Sequence, residues 1–405
     1  MTLRFMFYTL RWWQTRPTSP PKSFRKRKQL YFLNRNMRIG IDVRIAYHRM
    51  AGIGWYAIRL LNALAEIDHT NEYVLLQHRK QVEPLIIAQN FTRATIFTPT
   101  HHPLEQWPLS METRLLGLDI IHSPDFIPPM RNKIPAVITI HDLAFLLHPQ
   151  FVTARSARYY GQVEEAVKHA RRIIAVSNST KNDIMALLGT PESKIDVIYE
   201  AADPMFRPLP DAESRALLAD SHINPPEEFI LVVGTIEPRK NLRTLIQAYH
   251  RLRKQYGHEL PLLLAGAPGW LAEDVHHLVA ELDLEDHVQF LGRTDNNHLL
   301  ALYNLATVLA HPAHYEGFGL PPLEAMACAT PVVCSDAGSL PEVVGNAALL
   351  VPPEDVEAWA AELHRVLADD RLQSKLSKKG LDRASQFSWT KAAQETLETY
   401  RKAVA

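Results

Sequence analysis

From Met37 onward, short aliphatic and β-branched runs alternate with longer stretches of helical periodicity. The runs 38–43 (RIGIDV), 72–77 (EYVLLQ), 94–98 (ATIFT), 118–122 (LDIIH), 135–140 (PAVITI), 172–176 (RIIAV) and 195–199 (IDVIY) predict strands. Between them the pattern predicts helices over 53–67, 153–170 and 178–188. Short, fully apolar strands separated by helices indicate a parallel sheet covered on both faces. The series breaks at 203–228, where Pro204, Pro208, Pro210, Pro225 and Pro226 surround a polar helix. Such a stretch reads as a linker. A second series follows, with strands at 229–233, 261–265, 287–291, 307–310, 331–334 and 347–351. Helices are expected near 241–256, 271–282, 295–306, 320–329 and 355–368. An amphipathic helix covers 389–404.

The predicted fold is therefore α/β, with two Rossmann-like, doubly wound parallel-sheet domains facing a cleft. The expected divisions are a leader at 1–36, a first Rossmann-like domain at 37–203, a linker at 204–228, a second Rossmann-like domain at 229–386 and a C-terminal helix at 387–405. That last helix is expected to pack back on the first domain. No residue-level repeat links the halves. In open α/β sheets, ligands sit beyond the carboxyl ends of the strands, and the polar motifs of this chain fall there.

Composition narrows the class. Apolar residues make up 46 % and charged residues 22 % of 405, enough for sizeable cores without disulfides. Cys328 and Cys334 have no metal spacing and are expected as small buried side chains. Residues 1–36 carry nine Lys or Arg and no acid, leaving 35 basic against 44 acidic residues from Met37, a net charge of −9. An acidic body argues against nucleic acid as the main partner. The basic leader, which includes Trp12 and Trp13, has three readings: a disordered tail, a peripheral membrane contact, or sequence upstream of a translation start at Met37. It lacks the unbroken apolar run of a signal peptide. No apolar run of about 18 residues occurs to span a bilayer. The expected location is the cytoplasm, membrane-associated if the leader binds lipid.

The strongest motif is Glu316-Gly-Phe-Gly-Leu-Pro-Pro-Leu-Glu324, two glutamates eight positions apart after a strand. Gly317 and Gly319 allow close backbone approach, and Pro321 suits the first turn of a helix whose free amides would face a diphosphate. A second motif, Gly234-Thr-Ile-Glu-Pro-Arg-Lys-Asn241, places Arg239 and Lys240 as fixed positive charge just beyond a strand end, suited to an anionic group. Asn241 is expected to cap the helix that follows.

Gly52-Ile-Gly54 with Ala57 imitates a dinucleotide fingerprint. The preceding strand ends too early for NAD, however, and the next strand ends at Gln77 instead of an acid. His141 and Asp142 end a buried strand, and His122 ends another as a weaker candidate. There is no D-x-D, no H-E-x-x-H and no P-loop.

These motifs resemble the retaining glycosyltransferases of family 4, the large group with the GT-B fold. Glu316 and Glu324 match that family's E-x7-E pair, and the resemblance covers 37–405. It implies a donor-sugar contact at Glu316, a ribose contact at Glu324, and a sugar–phosphate site lined by the amides of Gly317, Phe318 and Gly319, with Leu320 opening the helix. Gly52, Gly54 and Gly234 would face the donor, and His141 the sugar, with Asp142 contacting the acceptor or positioning His141. Thr235 stands where the family usually has Arg, so that contact is lost or passes to Arg239.

The implied activity is metal-independent, retaining transfer of a hexosyl group to a glycan or lipid-linked hydroxyl. No cofactor is expected. The donor would be a UDP-, GDP- or ADP-sugar, GDP-mannose being favoured by the E-P-R-K-N loop. Two alternatives are an epimerase of nucleotide sugars with the same fold and a sugar-nucleotide-binding scaffold without catalysis.

Overall fold

Seven strands build the first sheet: β1 (Arg38–Asp42), β2 (Glu72–His78), β3 (Phe91–Ile96), β4 (Ile120–Ser123), β5 (Ala136–Ile140), β6 (Arg172–Ala175) and β7 (Ile195–Val197). Their order is β3-β2-β1-β4-β5-β6-β7, with every pair parallel. Six more strands build the second sheet: β8 (Ile230–Val233), β9 (Leu262–Ala265), β10 (Val288–Gly292), β11 (Val308–His311), β12 (Val332–Ser335) and β13 (Leu349–Val351). It is also all parallel, in the order β10-β9-β8-β11-β12-β13. The computed structural model describes residues 36–48, 52–100, 102, 104–149, 160–269 and 272–405. Both sheets lie in one compact unit, 36–404.

The apolar runs became buried central strands, as parallel strands covered by helices must. β5, β8, β9 and β12 are buried at every residue. The strand expected at 94–98 instead begins at Phe91. It is an edge strand, where Thr92 and Thr95 stand exposed, so its polar residues hid it from an apolar-run criterion. The helix expected at 153–170 is described only as Val163–His169, and its earlier part lies outside the described residues, as does the basic leader.

Helix 389–404 packs against helix Gly52–Ile67 and the strands β4–β6. Ala392, Ala393, Leu397 and Tyr400 join the core of the first sheet beside Leu60, Leu61 and Leu64. The chain thus crosses between the sheets twice, near Asp203 and again near Phe387.

Several contacts close the second sheet's loops onto the first. The Glu342 carboxylate accepts from the amides of Asn178 (2.9 Å) and Ser179 (3.2 Å) and from the Tyr199 hydroxyl (2.6 Å). Those amides open helix Asn178–Leu188, where a negative charge is favoured. Tyr315 donates to Asp183 at 2.5 Å.

Candidate functional site

β8 and β11 are neighbours, so the turns that follow them meet. After β8 the chain passes Gly234, at φ +147°, into the 3-10 turn Pro238–Lys240. After β11 it passes Glu316 and enters helix Leu320–Ala327. Gly319 precedes that helix at φ +104°, a backbone that side chains rarely adopt.

At this junction Glu316 is buried among cations. One carboxylate oxygen takes hydrogen bonds from the Lys240 ammonium and from His311 Nε2 (3.1 Å); the other is 3.1 Å from Arg239. Arg239 also donates to the Tyr315 carbonyl (3.0 Å) and to Glu237 (3.0 Å). Burial alone would raise the Glu316 carboxyl, but Lys240 and Arg239 overcome it and hold it well below the ordinary range. Burial pushes His311 down in spite of its bond to Glu316. The result is a largely buried centre in which two cations meet the carboxylates of Glu316 and Glu237.

Glu324 has a different set of partners. Tyr303 donates to it at 3.0 Å, and Arg59 of helix Gly52–Ile67 lies 3.9 Å away. Arg59 in turn donates to Asp203 at 3.1 Å. Burial raises the Glu324 carboxyl; Arg59 and the Tyr303 bond oppose this, and Asp203 and Glu200 reinforce it.

The first sheet contributes His141 just beyond β5. Its Nδ1 is 2.9 Å from Glu200 and its Nε2 is 3.0 Å from the Pro124 carbonyl. A neutral imidazole has one N–H, yet both partners are acceptors, so this geometry favours the doubly protonated ring. Burial would lower the His141 pKa, but the bond and charge of Glu200 raise it above the ordinary value. Tyr56 meets the ring edge-on at 4.6 Å. Asp142 accepts from the Ala144 amide at 3.0 Å.

The two halves touch at Gly317. A Cβ there would lie 1.8 Å from the His141 carbonyl oxygen, so no larger residue fits. The Gly317 carbonyl accepts from Ser177 (2.7 Å) and Thr180 (3.2 Å). Phe318 is buried between Tyr199 and Phe387, and Leu320 packs half-buried beside them. The structure thus gathers Arg239, Lys240 and Glu316 directly, and brings His141 and Asp142 against Gly317.

The remaining predicted positions make looser arrangements. Gly52 is the exposed first residue of its helix, and a Cβ there would meet nothing. Gly54 is buried one half-turn on. Thr235 packs against Gly269, where a Cβ would lie 2.9 Å from its methyl group.

Two expectations need correction. Asn241 does not cap its helix through its side chain; at φ 53° it donates to the carbonyls of Pro312 (3.1 Å) and Pro353 (2.6 Å) instead. It ties two loops together. His122 is fully buried, bonded to Tyr400 (2.7 Å) and Thr139 (2.8 Å), and pushed down to about 3 by burial and the neighbouring His141. It belongs to the core. Glu200 was not anticipated; its one signal was an acid following the strand end in IYEAAD.

Among the described residues, no three His, Cys, Asp or Glu side chains gather as a metal ion would require. Cys328 and Cys334 are free and buried.

Two all-parallel α/β sheets in tandem, with a charged, buried centre at the carboxyl ends of β8 and β11, define the GT-B fold class. The signature described as "Glycosyl transferases group 1" matches residues 214–383, and that described as "Glycosyltransferase Family 4" matches residues 50–206. Among relatives, O-antigen chain mannosyltransferase B of Escherichia coli is 32 % identical over 368 residues, covering 87 % of this chain and 96 % of its own. The chain therefore belongs to the group 1 glycosyltransferases, and it is a glycosyltransferase. Sucrose-phosphate synthase from Thermosynechococcus elongatus superposes with a TM-score of 0.75 at 23 % identity, over 90 % of this chain and 98 % of its own. Anabaena HepE, solved with UDP and glucose, gives a TM-score of 0.69 at 20 % identity, over 90 % and 99 %. These two similarities concern the fold.

Proposed function

We propose that this enzyme transfers a hexosyl group, with mannosyl favoured, from a nucleotide diphospho-sugar to a hydroxyl of a glycan or lipid-linked acceptor. The anomeric configuration is retained and no metal ion takes part. The observation that carries this reading is the Lys240–Glu316–Arg239 cluster at the carboxyl ends of β8 and β11. A relative named as a mannosyltransferase and a similar fold solved with UDP and glucose support the donor class.

Without donor, the charges of Lys240 and Arg239 are met by the carboxylates of Glu316 and Glu237. An arriving diphosphate competes for the two cations, leaving Glu316 free to accept hydrogen bonds from sugar hydroxyls. Glu324 holds the ribose, and the amides of Gly317, Phe318 and Gly319 line the sugar and phosphates. The bond from the anomeric carbon to the phosphate oxygen breaks as the acceptor oxygen bonds to the same face. The departing phosphate oxygen takes the acceptor proton, and Lys240 and Arg239 stabilise its charge. This route needs no carboxylate nucleophile of the kind retaining glycosidases use.

The test is release of nucleoside diphosphate from a panel of UDP-, GDP- and ADP-sugars, with and without EDTA. Turnover of one donor that survives EDTA is expected. Loss restored by Mg²⁺ or Mn²⁺ would remove the metal-free route, and silence with all donors would favour a binding scaffold.

A further inference from the structure

His141 has a close neighbour that the proposed transfer leaves without a task. Tyr56, in helix Gly52–Ile67, meets the imidazole edge-on, with ring centres 4.6 Å apart and planes at 85°. Its hydroxyl is 3.2 Å from the Thr139 hydroxyl. Thr139 precedes His141 by two positions, and residues two apart along an extended strand share one face. One tyrosine therefore bridges two successive side chains of that face. Its ring rests on His141, and its tip is fixed at Thr139.

Behind Thr139 the polar contacts continue into the core. The Thr139 hydroxyl is 2.8 Å from His122 Nε2 on the neighbouring β4, and His122 Nδ1 is 2.7 Å from the Tyr400 hydroxyl. Tyr56 is 2 % exposed, and His122, Thr139 and Tyr400 are 0 % exposed. The proton positions follow from the inner end of this string. Among the described residues His122 is the one hydrogen-bond partner of the Tyr400 hydroxyl, so Tyr400 donates to Nδ1. Burial, with the nearby charge of His141, keeps His122 neutral. Its single N–H therefore sits on Nε2 and is donated to Thr139. In this way helix 389–404 sets the tautomer of a histidine that is linked through Thr139 to Tyr56. The same helix touches Tyr56 directly at its start, where the Trp389 ring lies 5.7 Å from the tyrosine ring.

Polar groups cost free energy to bury unless each is paired, and a paired network admits one arrangement. An apolar filling of the same space would impose no such restriction. What this arrangement holds still is His141. Bonds to Glu200 and to the Pro124 carbonyl already limit its rotation, and the Tyr56 ring adds a third restraint. His141 also carries the carbonyl that meets Gly317 and accepts from Thr180 at 3.2 Å. Its placement is thus felt by the loop of the second sheet.

We infer that Tyr56 is a positioning residue for His141, and that Thr139, His122 and Tyr400 hold it in that role. The seating of the C-terminal helix then reaches the site through a buried string of hydrogen bonds. The inference rests on the reading of His141 as a residue that faces the donor sugar.

The test uses the full chain and two readouts. In donor-free protein carrying nitrogen-labelled histidine, the His141 ring signals are those missing from His141→Gln. Tyr56→Leu should shift and broaden them, Thr139→Val should do so less, and Thr139→Ser, which keeps the hydroxyl, should preserve them. The second readout is turnover of the donor that the nucleotide-sugar panel selects, expressed per donor-binding site so that loss of folded protein does not register. Tyr56→Leu should lower kcat by on the order of 10²-fold and Thr139→Val by roughly ten-fold, with donor KM changed less than about three-fold and Thr139→Ser near wild type. Tyr400→Phe, remote from the site, should repeat the Thr139→Val result. If Tyr56→Leu does not fold, Tyr56→Phe, which keeps the ring but frees its tip from Thr139, must still alter the ring signals. Wild-type ring signals in the Tyr56 variants would overturn the inference, as would altered signals with an unchanged kcat per site. Wild-type behaviour of Tyr400→Phe would overturn the link to the C-terminal helix. Silence with every donor would defeat the functional reading instead, and the ring signals would still decide whether Tyr56 positions His141.

Discussion

Lys240 and Glu324 both sit in the second half of the chain, yet they should fail differently. On the proposed route the Lys240 ammonium meets charge that grows as the glycosidic bond breaks, so Lys240→Ala should lower kcat more than it raises KM, by on the order of 10²–10³. The ribose contact proposed for Glu324 would serve ground and transition states alike, so Glu324→Ala should raise donor KM by about 10- to 150-fold, the worth of one charge-assisted bond. Steady-state kinetics with circular dichroism decide both; a near-normal kcat for Lys240→Ala would shift attention to Arg239.

His141 makes a pH prediction. Its folded-state pKa is raised by Glu200, so the stability it confers is fully present below the ordinary imidazole value of about 6.5. That stability is lost as pH rises through the folded-state value. Glu200→Gln should flatten this fall, measured as the thermal midpoint across pH. A wild-type profile that does not decline above that value would contradict it.

At the scale of elements, the loop from His311 to Gly319 is tightly constrained. Gly317→Ala would drive a methyl group into the His141 carbonyl, 1.8 Å away, with Asp142 close beside it. Backbone must move, so a loss of about 1–3 kcal/mol is expected in denaturant melts, together with most of the activity. A variant as stable and active as the wild type would show that the contact is dispensable.

Elements also set what could be read from sequence. Central parallel strands announce themselves as apolar runs, and all six of the second sheet lie where the pattern placed them. Helix Gln106–Arg114 was invisible because its apolar residues point both ways and Pro108, in its first turn, obscures the helical pattern in the sequence. Helix Asp370–Ala384 was missed because its face rests on few apolar residues, and its start is marked by Asp369 accepting from the amides of Arg371 and Leu372. The site divided similarly. Arg239, Lys240 and Glu316 were legible from spacing after strands, since neighbouring strands bring their turns together. The Glu200–His141 pair joins residues 59 positions apart through the tertiary fold, and no local pattern encodes that.

For the whole molecule, the second sheet's loops are fastened to the first through Glu342, Tyr315 and Gly317. Glu342 alone serves two backbone amides and a hydroxyl. Glu342→Ala should therefore loosen the donor-free enzyme, read as a larger radius of gyration in solution scattering. An unchanged radius would mean that the remaining contacts suffice.

The C-terminal crossing has a consequence for how the chain acquires its structure. The first sheet's core is finished by Ala393, Leu397 and Tyr400, and the buried His122 obtains one of its two partners from Tyr400. None of these residues exists until the whole second sheet has been synthesised. During translation the earlier half must therefore wait, with an apolar flank uncovered, for a helix made long after its own strands. A fragment ending in the proline-rich stretch would retain that uncovered flank and stay dependent on a chaperone or on the missing helix supplied in trans.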